Sequence, residues 1–110
     1  MQLLVDEFMK LEVPPTEVYS PLENTILYKI CDKKDIVLEI FRRKDSTFGF
    51  RYQAWVGWRD AGINIRNHSW TEIDSGSNIF TDNLEIVKKE AEANAKSKGV
   101  VLTSEWQKSA

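Results

Sequence analysis

The pattern of apolar and polar positions changes character twice along the chain. Between residues 25 and 73, short runs rich in β-branched and aromatic residues alternate with turn residues, which is typical of an antiparallel β-meander. We predict strands over residues 25–31, 36–44, 48–58 and 63–73. From residue 82 onward the apolar residues recur at every third or fourth position, so we predict a helix over residues 82–98.

The two ends of this helix and the two ends of the chain carry further signals. Asp82 is the predicted N-cap, and Gly99 stands at the position of a C-terminal capping glycine. Residues 1–24 predict a short amphipathic helix followed by a linker that contains three prolines. The tail over residues 99–110 either adds an edge strand or docks as a flap, and the pattern does not decide between them.

Strand parity divides the predicted sheet into two faces, because side chains two positions apart share a face. In the third strand one parity is apolar throughout: Phe48, Phe50, Tyr52, Ala54, Val56 and Trp58. We predict that this core face lies under the helix, with Phe50, Tyr52 and Trp58 buried. The opposite face, the outer face, carries basic and aromatic residues in alternation. Its candidate binding residues are Phe41, Arg43, Arg51, Trp55, Arg59, Arg66, His68 and Trp70.

The third and fourth strands are predicted to form a hairpin. A four-residue loop over residues 59–62, ending in a glycine, would set Trp58 opposite Ile63. This register places Trp55 opposite Arg66 and Arg51 opposite Trp70. Two cross-strand cation–π pairs would result, each worth about 0.5–1 kcal/mol at an exposed site.

The outer face admits two functional interpretations. Planar aromatic rings interleaved with guanidinium groups are suited to single-stranded nucleic acid, whose bases stack and whose phosphates need positive charge. The same residue types are enriched where proteins bind one another. Nucleic-acid binding and a protein–protein or assembly interface therefore both stay open. Self-association, as a dimer, is predicted because one helix covers only part of a sheet this long and Phe80, Val101 and Trp106 need partners.

Composition narrows the class of protein. A chain of 110 residues, with a net charge of −2 and a pI near 5.4, indicates one domain without the global positive charge that attracts polyanions. No apolar run approaches the length of a membrane span and no basic segment precedes an apolar one at the start, so we expect a soluble cytoplasmic protein.

Catalytic and metal-binding chemistry is not indicated. His68 and Cys31 are each the only residue of their type, which disfavours a zinc site. Ser69 follows His68 directly, and neighbours along a strand face opposite ways, so they cannot form a catalytic pair. Glu39 is interpreted as a solvated sheet charge. We therefore predict a protein that is not an enzyme and uses no cofactor.

The order of elements, a twisted meander followed by one long helix, resembles the single-stranded-DNA-binding transcriptional coactivator and Whirly type of fold. The block over residues 38–74, with the segments 48–55 and 68–70 inside it, is similar to a small family of uncharacterised cyanobacterial proteins. The resemblance implies strands that bind nucleic acid, a transcription-regulator-like role and a helix that helps to form a dimer. It assigns the binding to Arg51, Trp55, Arg66 and Trp70.

Overall fold

A five-stranded antiparallel sheet with one α-helix on one of its faces forms the protein, as seen in a computed structural model that describes residues 16–59, 66–74 and 79–109. The strand order is β4-β3-β2-β1-β5. The strands are β1 Thr25–Ile30, β2 Ile36–Arg42, β3 Phe48–Arg59, β4 Arg66–Asp74 and β5 Gln107–Lys108, and the helix α1 is Leu84–Ser97. The predicted α+β class is confirmed. The predicted N-terminal helix lies outside the described residues.

The hydrophobic core lies between α1 and the middle of the sheet. It contains Leu38, Ile40, Phe50, Tyr52, Val87, Ala91 and Ala95, all buried. Full burial of a side chain such as Leu38 contributes about 1.5–3 kcal/mol, so this cluster is what holds the helix on the sheet. Tyr52 adds a polar tie, because its hydroxyl donates to Asn94 Oδ1 at 2.7 Å. The predicted burial of Phe50 and Tyr52 is confirmed, and the side chain of Trp58 lies outside the described ones.

The ends of α1 are fixed by local hydrogen bonds. Asn83 is the N-cap, with extended backbone angles and a side-chain oxygen that accepts the N–H groups of Glu85 and Ile86. The prediction of Asp82 as N-cap was wrong by one residue. At the other end Gly99 has φ +77°, the left-handed conformation that glycine adopts without steric cost, as predicted.

The register of the β3–β4 hairpin differs from the predicted one. Trp55 pairs with Trp70 and Arg59 pairs with Arg66, so neither Trp55 with Arg66 nor Arg51 with Trp70 is a cross-strand pair. The reason is that β3 ends one residue later than predicted, at Arg59, and β4 begins three residues later, at Arg66. The partner of each β3 residue from Gln53 to Arg59 therefore shifts by four positions. A shift by an even number leaves the residues from Arg66 to Glu72 on their predicted face.

The tail after α1 docks along the free edge of β1. Val101 accepts a hydrogen bond from the backbone of Asp32, Ser104 bonds both backbone groups of Ile30, and Ser109 donates to Ile26. Gln107 and Lys108 complete β5. Trp106 is half-buried against the core and donates its indole N–H to Glu92 at 2.7 Å. The tail is therefore an edge strand, and Trp106 finds its partner within the chain.

Candidate binding surface of the outer face and the β3–β4 hairpin

The centre of the outer face is covered by the segment that precedes β1. Tyr19, Ser20 and Leu22 make hydrogen bonds with side chains that rise from β2 and β3. Beneath them Val37 and Glu39 are 0 % exposed and Gln53 is 2 % exposed. The interpretation of Glu39 as a solvated charge was wrong, because residues before the sheet fold back over it.

A buried carboxylate organises this cover. A buried carboxylate is costly unless hydrogen-bond donors surround it, and five donors surround Glu39. The donors are the Tyr19 hydroxyl, Leu22 N at 3.3 Å, Thr25 Oγ1 at 3.1 Å, Arg51 Nε at 3.0 Å and Gln53 Nε2 at 2.6 Å. Burial, together with the hydrogen bond to Glu39, raises the pKa of Tyr19 well above its ordinary range, so this hydroxyl remains a donor at neutral pH. The cluster ties the segment to the sheet.

Two of the candidate arginines are held within the fold, and the first, Arg51, belongs to the Glu39 cluster. Arg51 pairs with Glu39, and its Nη2 donates to Glu23 O at 2.6 Å and to Thr25 Oγ1 at 2.7 Å. Only 12 % of its side chain is exposed. Its guanidinium carbon lies 4.5 Å from the centre of the Phe41 ring, so the cation is stacked as well as paired.

Arg43 is held in the same manner at the far end of β2. Its Nη1 donates to Phe48 O at 2.7 Å and to Ile79 O at 3.0 Å. The guanidinium also lies over Phe80, 4.2 Å from the ring centre. A Cβ at position 49 would come within 2.6 Å of Arg43 Nη2, so glycine there makes room for this arginine. Arg43 thus joins the β2–β3 turn to the chain before α1.

Aromatic rings form a row across the outer face. Ring centres of Trp55 and Trp70 are 5.5 Å apart, those of Trp70 and Tyr19 5.4 Å, and those of Tyr19 and Tyr28 5.2 Å. Edge-to-face and tilted contacts of this kind stabilise by about 0.5–1.5 kcal/mol beyond burial. Both tryptophans are half-buried. They are packed against neighbours rather than standing as open platforms.

The outer half of the β3–β4 hairpin extends beyond the rest of the sheet. Pairing of β2 with β3 ends at Ile36 and Ala54, whereas β3 pairs with β4 as far as Arg59 and Arg66. Arg59, Arg66 and His68 occupy backbone positions in this extension, at the same parity as Trp55 and Trp70. Their side chains lie outside the described ones.

The two edges of the sheet differ. The tail runs along β1, as described above, whereas the outer edge of β4 has no strand beside it among the described residues. Ile73 on β4 is 53 % exposed. Sequence parity gave no sign of this difference, because it assigns faces and does not say which edge the tail will cover.

Other polar clusters in the described ranges are small. Cys31 is buried and donates to Asp35 Oδ1 at 3.0 Å, and burial followed by this hydrogen bond raises the pKa of its thiol. Within residues 16–59, 66–74 and 79–109, no three His, Cys, Asp or Glu side chains are grouped so as to hold a metal. No helix in the described part of the chain combines the length and apolar character needed to cross a bilayer.

Comparison of the chain with protein-family models, with curated proteins and with solved structures finds no significant match.

Proposed function

We propose that this protein is a binding module without catalytic activity that recognises another polypeptide through the β3–β4 hairpin. The observation that supports this best is the contrast between the two sheet edges. Exposed edges invite pairing with other strands, and proteins usually cover or interrupt them. Here the tail covers β1, while β4 has no neighbouring strand in the described ranges. An edge of this kind can accept an extended segment of a partner by strand addition.

The state of Arg43 and Arg51, two of the candidate arginines, favours a polypeptide over nucleic acid. Affinity for nucleic acid comes mainly from cationic side chains that are free to neutralise phosphates. Arg51 is paired with the buried Glu39, and Arg43 is bonded to backbone carbonyls and stacked on Phe80. Releasing Arg51 would leave the buried Glu39 carboxylate without its partner, and releasing Arg43 would break its bonds to two half-buried carbonyls. A net charge of −2 adds no general attraction.

Site-specific photo-crosslinking in the cells that produce the protein tests this proposal. A benzophenone amino acid placed at Ile73, on β4, should give adducts with another polypeptide. The same amino acid at Ile86, which is 46 % exposed on α1, is the matched control and should give few. Equal yields at the two positions, or adducts with nucleic acid at Ile73, would contradict the proposal.

Single-stranded nucleic acid is a second candidate ligand, supported by the Trp55–Trp70 pair next to the backbone positions of Arg59 and Arg66. If it binds there, Trp70→Ala should weaken binding by about 1–3 kcal/mol through lost stacking, with little dependence on base. The test is a fluorescence titration with a 15-nucleotide oligothymidine at low salt. Absence of any binding there removes this candidate.

A further inference from the structure

The direction of the backbone groups in β4 follows from one hydrogen bond in β3. Trp55 donates its N–H to Asp35 O at 2.8 Å, on the side of β3 that faces β2. In an antiparallel strand the N–H and C=O of one residue point to the same side, and the side alternates along the chain. Trp55 and its partner Trp70 therefore form a non-hydrogen-bonded pair, and the backbone groups of Trp70 point away from β3.

The same alternation applies along the rest of the β4 edge. By the two-residue period, Arg66, His68 and Glu72 also direct their N–H and C=O groups outward. No backbone–backbone hydrogen bond joins these groups to another residue in the described part of the chain. The regular ladder ends beyond Glu72, where a bulge sets Asp74 opposite Tyr52. The stretch from residue 66 to residue 72 is thus the part of the edge that can pair with another strand.

The charges of this stretch are complementary to themselves. Its first residue is Arg66 and its last is Glu72, with Ser69 in the middle. Antiparallel pairing of two copies about a two-fold axis at Ser69 sets Arg66 of one opposite Glu72 of the other, twice. It also sets His68 opposite Trp70. In this register the outward-pointing residues face one another, as a hydrogen-bonded ladder requires.

Neighbouring registers are less favourable. A two-fold axis at Trp70 would pair Arg66 with Asp74, beyond the bulge where the ladder is interrupted. An axis at His68 would leave Glu72 without a basic residue opposite. Only the axis at Ser69 uses the whole regular stretch and matches charge at both of its ends.

We propose that two copies of this chain associate by antiparallel pairing of their β4 strands about Ser69, which joins their sheets into one. This rests on the proposed function, since it names a second copy as the polypeptide that occupies the β4 edge. An isologous contact of this type closes after two copies, so a dimer rather than a fibre results. Opposite charges placed directly across strands stabilise such a contact, and like charges destabilise it.

Charge reversal combined with sedimentation velocity over a concentration series tests the dimer and its register. The wild-type protein should dimerise. Arg66→Glu and Glu72→Arg should each weaken dimerisation by about tenfold or more, because each sets like charges opposite one another at both ends. A mixture of the two variants restores opposite charges at both ends and should form a heterodimer, and the double variant should recover the homodimer. Glu90→Arg, a charge reversal on the exposed side of α1, should leave dimerisation unchanged.

Recovery on mixing separates loss of pairing from loss of folding, because a misfolded variant would not recover. The inference is overturned if the wild-type protein is monomeric at every concentration, or if the single variants dimerise as tightly as the wild type. It is also overturned if the mixture stays monomeric while both variants are folded by circular dichroism. A monomeric wild type that still yields adducts with a different polypeptide at Ile73 would overturn this inference and leave the proposed function standing.

Discussion

Single residues on the outer face have roles that depend on what covers them. Parity assigned Glu39, Arg51 and Gln53 to one face, and the structure keeps them there. Parity could not reveal that Tyr19 and Leu22 return over that face, because this contact joins residues about twenty positions apart without any periodic signal. The candidate site predicted from sequence therefore included Arg51, a cation that is already neutralised by Glu39 within the fold.

The Glu39 cluster predicts a large effect of a small change. Glu39→Gln keeps the shape of the side chain and removes the charge that balances Arg51. Loss of one partner of a buried ion pair costs about 3–5 kcal/mol, so the free energy of unfolding in urea should fall by about 3 kcal/mol or more. Glu105→Gln, at an exposed carboxylate, is the control and should change it by less than about 0.5 kcal/mol. Similar losses in both variants would show that the cluster does not hold the segment.

Tyr19 makes the stability of the protein depend on pH in the alkaline range. Its pKa in the folded state lies above the unfolded value of about 10, because of burial and the hydrogen bond to Glu39. Its contribution to stability is therefore complete below pH 10 and is lost as the pH rises further. Above pH 10 the free energy of unfolding of the wild type should fall more steeply than that of Tyr19→Phe. Parallel pH profiles of the two proteins would contradict this assignment.

At the scale of elements, sequence predicted what is periodic and local. The strand and helix positions were recovered to within about three residues, and the division of β3 and of β4 as far as Glu72 into two faces agrees with the register. Ile73, whose parity predicts the core face, lies at the bulge and is 53 % exposed. The hairpin register was not predicted correctly, because Trp55 keeps its face whether it pairs with Arg66 or with Trp70. Only the length of the loop separates these alternatives, and loop length is poorly encoded by local pattern.

The N-cap of α1 allows a direct test at this scale. Asn83→Ala removes the oxygen that accepts the N–H groups of Glu85 and Ile86, and should cost about 1 kcal/mol. Asp82→Ala is the matched control one residue earlier, and should change stability by less than about 0.5 kcal/mol. Thermal unfolding followed by circular dichroism measures both. A larger loss for Asp82→Ala would support the cap predicted from sequence instead.

At the scale of the whole molecule, the two segments that flank the sheet and helix decide which surfaces remain accessible. The segment before β1 closes the centre of the outer face, and the tail closes the β1 edge. Neither effect follows from the periodicity of the strands, since both depend on long-range packing. Together they confine an accessible pairing edge to β4, within the described part of the chain, and make the hairpin the element best placed to contact a partner.

We expect the attachment of the tail to the sheet to depend strongly on one side chain, Trp106. Trp106 packs against the core, donates to Glu92 and lies under the Lys29 ammonium at 5.0 Å. Trp106→Ala should lower the free energy of unfolding by about 2–3 kcal/mol, somewhat less than truncation of a fully buried tryptophan. It should also speed amide hydrogen exchange in β1, whose edge would open.

Trp106→Phe keeps most of the packing and loses the hydrogen bond to Glu92. We therefore expect the free energy of unfolding to fall by about 1 kcal/mol while β1 stays protected from exchange. Equal exchange rates for β1 in the wild type and in Trp106→Ala would show that the tail is held by its backbone bonds alone.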